Sequence, residues 1–171
     1  MPRKKPMLSS PTTLELFMDK LNRISEGFEF LSEEEITAER LSTLFNLAYL
    51  PAKIDEDNDI VVRDEYTVFI NVSDRAKVLW YRIYLEEITD TPREIVESAI
   101  VNANSQVVFA NLQLVENTLY SDMFLDYRNG LPAHTIVFSL RRLISVTNTL
   151  LSVLRESLDA YHRGNTDEGD S

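Results

Sequence analysis

Apolar residues alternate with other residues along two neighbouring segments of the chain. The alternation runs over Tyr66–Val72 and again over Leu79–Leu85, and a turn candidate, Ser73-Asp74, separates them. A period of two places successive side chains on opposite faces of a strand. Two such segments joined by a short turn favour an antiparallel pair. The sequence therefore predicts a sheet with one buried face.

Segments with helical spacing lie on either side of these strands. Their apolar positions are Ile36, Leu41, Leu44, Phe45 and Ala48 in the first and Ile95, Val96, Ala99, Ile100 and Ala103 in the second. Capping boxes at Ser32–Glu35 and Thr91–Glu94 predict where the two helices begin, the second with proline at its first helical position. Pro51 ends the first helix. The second closes at 102–104, where asparagine tolerates a left-handed turn.

The remaining segments complete a mixed fold. An acidic turn over 55–59, with Asn58 suited to positive φ, separates apolar runs at 52–54 and 60–62. Two more strands are predicted over about 106–115 and 118–127, then a turn at Arg128-Asn129-Gly130 and a last helix over 134–161. The prediction is an α+β fold, an antiparallel sheet of about five strands flanked by helices, in the order α-α-β-β-β-α-β-β-α.

The first helix of that order lies near the N-terminus and begins at Ser10-Pro11. One face of it carries Leu14, Phe17, Met18 and Leu21. With 171 residues the chain suits roughly one domain. We predict a flexible basic arm over 1–9, an N-terminal helix extension over 10–31, the α+β domain over 32–162 and a disordered acidic tail over 163–171.

Composition removes several classes of function. The chain has no cysteine, which excludes disulfides, thiolate metal sites and cysteine catalysis. Its four glycines do not form a phosphate-binding loop. A net charge of −11 argues against nucleic acid as a partner, because phosphate contacts need clustered Lys and Arg. No signal peptide or apolar run of about 18 residues is evident, so we expect a cytoplasmic protein without a membrane span.

Candidate catalytic and metal-binding residues are few. Asp55-x-Asp57-x-Asp59 begins like a calcium loop, but Ile60 and Tyr66 stand where the loop needs glycine and a bidentate glutamate. This segment is better interpreted as an acidic turn. His134 and His162 are expected as surface or capping residues. We predict no catalytic residue, no cofactor and no metal site, and hence no enzyme.

Two surfaces are candidates for protein binding. Trp80, Arg82 and Tyr84 share the other face of the 79–85 strand, and these residue types anchor protein interfaces. The alternative interpretation is ordinary packing, with a helix covering that face. Ile144, Leu151 and Leu158 lie on the last helix, whose apolar arc is wide. Either this helix lies deep against the sheet, or part of the arc meets a partner helix or a second subunit.

The order of elements over about 36–161 resembles the bacterial YbjN domain family. The local features that carry the resemblance are the helix 36–50, the acidic turn Asp55–Ile60, the segments Phe69–Val72 and Val78–Arg82, the paired asparagines Asn102 and Asn104, and the hairpin-like exit Asp126–Leu131. The sequence departs from the family at Asn58, where glycine is usual, and residues 1–30 lie outside the match.

The resemblance implies a fold shared with type III secretion chaperones and a non-enzymatic role in a bacterial cytoplasm. The family is described as a sensory transduction regulator and has no accepted catalytic residues. The chaperone kinship implies that the protein holds a protein segment, often as a homodimer. The first hypothesis is thus a protein-binding or regulatory module, chaperone-like or an adaptor. The alternative is a small-ligand sensor with a pocket between the sheet and the C-terminal helix.

Overall fold

A computed structural model describes residues 29–167, with side chains described through Arg163. The strands are β1 Phe30–Leu31, β2 Ala52–Ile54, β3 Ile60–Arg63, β4 Thr67–Ser73, β5 Val78–Glu87, β6 Asn111–Val115, β7 Thr118–Asp126 and β8 Leu131–Pro132. The helices are α1 Ala38–Leu47, α2 Arg93–Ser105 and α3 Ala133–Asp167. The predicted basic arm, the helix beginning at Ser10 and residues 168–171 lie outside the described residues, and the division into arm, extension, domain and tail stays a prediction.

Six of the strands form one antiparallel sheet in the order β2-β3-β4-β5-β7-β6. Strands β1 and β8 form a separate antiparallel pair. The predicted α+β class and antiparallel sheet are confirmed, and the element order is roughly as predicted. The sheet has six strands because the apolar runs on both sides of the acidic turn each form their own strand, β2 and β3.

The core lies between one face of the sheet and the helices. Tyr81, fully buried on β5, donates a hydrogen bond from its hydroxyl to the carbonyl oxygen of Ile136 on α3 (3.1 Å). Ser121 Oγ on β7 lies 2.7 Å from Thr147 Oγ1 on α3, and both residues are fully buried. Helix α3 therefore lies deep against the sheet, the first of the two arrangements that its wide apolar arc allowed.

The segment before α1 differs from the prediction of one continuous helix. The capping box is present, and Ser32 donates its backbone N–H to Glu35 Oε2 (2.9 Å). It caps only a short 3₁₀ turn, Glu33–Glu35, because Ile36 then leaves helical geometry at φ −82° and ψ 82°. Thr37 caps α1 separately, and its hydroxyl accepts the N–H of Arg40. The break points the Ile36 side chain into the core.

Both predicted ends of α2 are wrong in detail. The N-cap residue is Pro92, no side chain caps the helix, and the Thr91 hydroxyl lies 3.4 Å from His162 Nε2 instead. At the other end the helix continues to Ser105 with no left-handed turn at the asparagines. The Asn104 side chain binds the backbone of Leu112 on β6 instead. The acidic turn is confirmed, with Asn58 at φ 64° and the Asp55 carboxylate accepting two backbone N–H groups.

Candidate functional site

The side of the sheet that faces away from α3 carries a cluster of aromatic and charged side chains. We call this cluster the open face, and its members are Phe69 on β4, Trp80, Arg82 and Tyr84 on β5, and Tyr120, Asp122 and Phe124 on β7. The antiparallel register places Arg82 opposite both Phe69 and Asp122. The three residues singled out in the sequence therefore share one face, and cross-strand neighbours complete the cluster.

An ion pair lies at the centre of the open face. Arg82 Nε donates to Asp122 Oδ1 (2.7 Å), and an Arg82 terminal nitrogen donates to Oδ2 (2.9 Å). Asp122 is fully buried and the Arg82 side chain is largely buried. The hydrogen bonds to Asp122 raise the pKa of Arg82 above its usual value. The pair is bidentate, a geometry that orients both side chains as well as holding them together.

Aromatic rings surround this ion pair. The Arg82 guanidinium carbon lies 4.0 Å from the centroid of the Trp80 ring and 4.7 Å from that of Tyr120. Phe124 stacks on Trp80 with centroids 5.5 Å apart, and Tyr84 makes an edge contact with Tyr120 at 4.9 Å. Each contact restricts the rotamers of the rings involved. The open face is thus ordered before anything binds to it.

Part of the open face is accessible. The side chains of Tyr84 and Phe124 are 51% and 53% exposed, whereas Trp80 is intermediate. A cavity of about 200 Å³ opens beside them, lined by Asp59, Phe69, Asn71, Trp80, Arg82 and Tyr84. Within the described residues, the indole Nε1 of Trp80 is buried without a hydrogen-bond partner. The site presents aromatic surface, which suits apolar contact, whereas the unused Trp80 donor lies buried beneath that surface.

Sequence reasoning missed Phe69, Tyr120, Asp122 and Phe124. The signal for Phe69 was available, since it alternates with the buried residues of β4. Asp122 gave no signal, because an acidic residue in a strand is ordinarily exposed. Its burial depends on Arg82, which lies 40 residues away in sequence and opposite it in the sheet.

Asparagines protect both edges of the six-stranded sheet. On β2, Asn46 of α1 accepts the N–H of Ala52 (3.1 Å) and donates to its carbonyl oxygen (2.9 Å). On β6, Asn104 of α2 accepts the N–H of Leu112 (2.8 Å) and donates to its carbonyl oxygen (3.0 Å). Each carboxamide occupies the backbone N–H and C=O of one residue on its edge strand, groups that an added strand would need.

The residues predicted to form a partner surface on the last helix lie in the core or against it. Ile144 and Leu151 are buried in the core, and Leu158 is partly buried and packs against it. These three side chains form the inner side of α3 within a single chain. They are not brought together with the open face, and their role in a dimer or partner contact stays a prediction, as does the homodimer itself.

The two histidines lie towards opposite ends of α3. His134 is half-buried with its ring 6.3 Å from that of Phe138, and His162 is exposed at the far end of α3. Among residues 29–167, no group of three or more His, Asp or Glu side chains could hold a metal ion.

By length and composition alone, Ala133–Arg163 could cross a membrane. Much of its apolar side packs against the sheet, as in the core helix of a soluble protein.

Comparisons with known proteins bear on the fold. No family model matches the sequence, and no curated protein matches it. The structure of YbjN from E. coli, a candidate transcription regulator, matches with a TM-score of 0.57 and 9% identity, over 71% of this chain and 92% of YbjN. The HopA1–SchA chaperone–effector complex matches with a TM-score of 0.46 and 16% identity, over 85% of this chain and 97% of the matched chain.

The fold assignment rests on the YbjN structure, because its TM-score is the higher of the two. The resemblance seen in the sequence is confirmed at the level of the fold. The chain has a YbjN-like α+β fold.

Proposed function

We propose that this chain is a non-enzymatic protein-binding module of a bacterial cytoplasm, chaperone-like or an adaptor, and that its open face holds an amphipathic helix of a partner protein. The observation that supports it is the ordered cluster of five aromatic rings around Arg82 and Asp122, with two rings half exposed. Trp, Tyr and Arg are the residue types enriched in the energetic centres of interfaces.

The protected edges favour a helix over a strand as the bound element. Addition of a strand needs a row of free backbone N–H and C=O groups at a sheet edge. Asn46 and Asn104 occupy those groups at Ala52 and Leu112, one on each edge. An amphipathic helix needs only an apolar surface on which to lay its apolar side.

The geometry also favours tight binding for a small contact area. An aromatic side chain of 150–250 Å² that is half exposed leaves roughly 100 Å² to bury, which is worth about 2 to 3 kcal/mol for each of Tyr84 and Phe124. The ion pair and the ring contacts already order the side chains, so little further ordering is needed on binding. A partner acceptor that reaches Trp80 Nε1 would satisfy a donor that is buried without a partner in the described structure.

The kind of process is proposed from the fold. The description of YbjN as a candidate transcription regulator makes regulation through a protein contact the first role to consider. The cytoplasmic location is part of the proposal, and the absence of cysteine is compatible with it.

The test is capture from a bacterial lysate followed by reconstitution. Wild type, Tyr84→Ser/Phe124→Ser and the matched control Val101→Ser are used as bait, since Val101 is an exposed hydrophobic residue on α2, away from the open face. We expect one near-stoichiometric protein with wild type and the control, and its loss with the double variant at an unchanged unfolding midpoint. A synthetic helix from that protein should then change the emission of Trp80, the chain's single tryptophan.

Retention of the protein by Tyr84→Ser/Phe124→Ser would contradict the assignment of the open face. Binding of the reconstituted helix without any change in Trp80 emission would contradict it as well. Recovery of the bait alone would overturn the proposal. The small-ligand sensor with a pocket between sheet and C-terminal helix stays a prediction; buried side chains, including the Tyr81–Ile136 and Ser121–Thr147 contacts, occupy that interface.

A further inference from the structure

A second exposed apolar surface lies on the helix side of the molecule. We call it the helix-side strip, and it comprises Val108 and Phe109 in the α2–β6 loop and Phe138 on α3. These side chains are 90%, 50% and 58% exposed. Arg142 connects them, because its guanidinium carbon lies 3.3 Å from the centroid of the Phe109 ring and it follows Phe138 by one helical turn.

Glu29, the first described residue, is bound to the start of the helix that carries Phe138. The backbone N–H of Ala133, the first residue of α3, donates to the carbonyl oxygen of Glu29 (2.7 Å). Glu29 also pairs with Arg40 on α1. Phe138 lies five residues after Ala133, about 7.5 Å along the helix. Glu29 is therefore held within about one and a half helical turns of Phe138 along the axis of α3.

The segment that precedes Glu29 has a sequence that matches such a surface. Leu14, Phe17, Met18 and Leu21 recur at the spacing of one helical face, and Gly27 can end the helix just before Glu29. The distance from Leu14 to Leu21 along a helix is about 10 Å. On α3, Arg142 follows Phe138 by four residues, about 6 Å along the helix, and contacts the Phe109 ring.

We propose that residues 10–27 form an amphipathic helix that runs antiparallel to the first half of α3 and covers the helix-side strip with Leu14, Phe17 and Leu21. The antiparallel direction follows because the end of the segment is held at Ala133. The proposal goes beyond the proposed function, because Phe138 lies on α3, which packs on the other side of the sheet from the open face.

The chain's own segment is a better occupant than a second copy. A short tether gives it an effective concentration in the millimolar range, far above ordinary protein concentrations. A second copy would also bring another net charge of −11 against the first.

Disulfide trapping in the full chain tests the contact, since the natural sequence has no cysteine. Phe17→Cys and Leu21→Cys are each combined with Phe138→Cys, and Asp19→Cys with Phe138→Cys is the control because Asp19 lies on the opposite side of the predicted helix. At low protein concentration we expect an intramolecular disulfide in at least one test pair, at least tenfold faster than in the control. Equal rates in all three variants, or disulfide-linked dimers, would overturn the proposal.

A double-mutant cycle gives a second readout that needs no cross-link. Leu21→Ser, Phe138→Ser and the combination are unfolded in urea, with folding followed by Trp80 emission. Leu21 precedes Gly27 by about 9 Å of helix, close to the distance of about 7.5 Å from Ala133 to Phe138. Substitution of a truly exposed Phe138 should leave the midpoint almost unchanged. We expect instead that each single variant lowers the midpoint and that the double variant lowers it by clearly less than the sum.

Strictly additive effects, or a Phe138→Ser variant with the wild-type midpoint, would show that the two side chains do not touch and would overturn the inference. Its failure is separate from that of the proposed function, which depends on Tyr84 and Phe124. A chain that binds its partner helix through the open face and shows no coupling here keeps the first proposal and loses the second.

Discussion

Replacement of Arg82 by methionine should destabilise the protein strongly, because it leaves the Asp122 carboxylate buried without its cation. Asp122 is fully buried and accepts two hydrogen bonds from Arg82, of 2.7 and 2.9 Å. Removing one partner of a buried pair typically costs about 3–5 kcal/mol. The free energy of unfolding of a whole domain is about 5–15 kcal/mol, so Arg82→Met should lose a large share of it.

The assay is urea unfolding followed by far-ultraviolet circular dichroism, since Trp80 emission would itself change when Arg82 leaves its ring. The matched control is Arg93→Met, which breaks the Arg93–Glu97 pair on α2 and the exposed hydrogen bond from Arg93 to the carbonyl oxygen of Glu116 (2.8 Å). Both of those side chains are about half exposed, and such a pair is worth only about 0.3–0.5 kcal/mol. The ratio of the two losses measures the effect of burial.

The double variant Arg82→Met/Asp122→Leu separates an unpaired charge from lost packing. Two apolar residues of similar volume commonly replace a buried ion pair at little cost. We therefore expect the double variant to recover most of the loss caused by Arg82→Met alone. A single variant no less stable than Arg93→Met, or a double variant no more stable than the single, would refute the reasoning that the buried carboxylate dominates.

Three further predictions concern pH and backbone geometry. Burial raises the pKa of Tyr81 above its usual value, so its contribution to stability is present below pH ~10 and lost at higher pH; Tyr81→Phe should weaken the alkaline fall of the urea midpoint, and an identical fall would contradict this. The hydrogen bond from Ser32 lowers the pKa of Glu35, so its contribution is present above about pH 4.3 and lost as pH falls through the lowered value; Glu35→Gln should flatten the acid limb, and an unchanged limb would argue against the capping box. Gly130 has φ 74°, and a Cβ there would lie 2.4 Å from the Leu31 carbonyl oxygen; Gly130→Ala should cost about 1–3 kcal/mol in urea unfolding, and a neutral result would contradict the observed turn.

The candidate site was predictable in part because strand periodicity is local. Alternation along β5 was enough to separate Tyr81 and Ile83 from Trp80, Arg82 and Tyr84. The other members of the open face come from β4 and β7, and their positions depend on the strand order and the register.

The asparagines of α1 and α2 also make contacts that local sequence patterns do not predict. The sequence predicts that Asn104 ends a helix, because asparagine tolerates a left-handed backbone conformation. In the fold it stays helical and binds the backbone of Leu112 on β6. Asn46 does the same for Ala52 on β2 and gave no sequence signal. A polar side chain can bind the backbone of an edge strand only where the fold places that strand beside it, and local sequence patterns do not give this placement.

The sequence by itself determined the class of the fold, most strands of the main sheet with their buried faces, and most of the turns. A side-chain period of two or 3.6 and the preferences of Asn and Gly act within a few residues. The tertiary structure decided that the sheet has six strands, with an asparagine side chain bound to the backbone of one residue on each edge. It also decided that α3 lies deep in the core with Ile144 and Leu151 inside, and that Arg82 is paired with a buried carboxylate. Each of these outcomes is set by contacts between residues distant in the chain, whose free energy exceeds the local preferences and appears only when the elements pack.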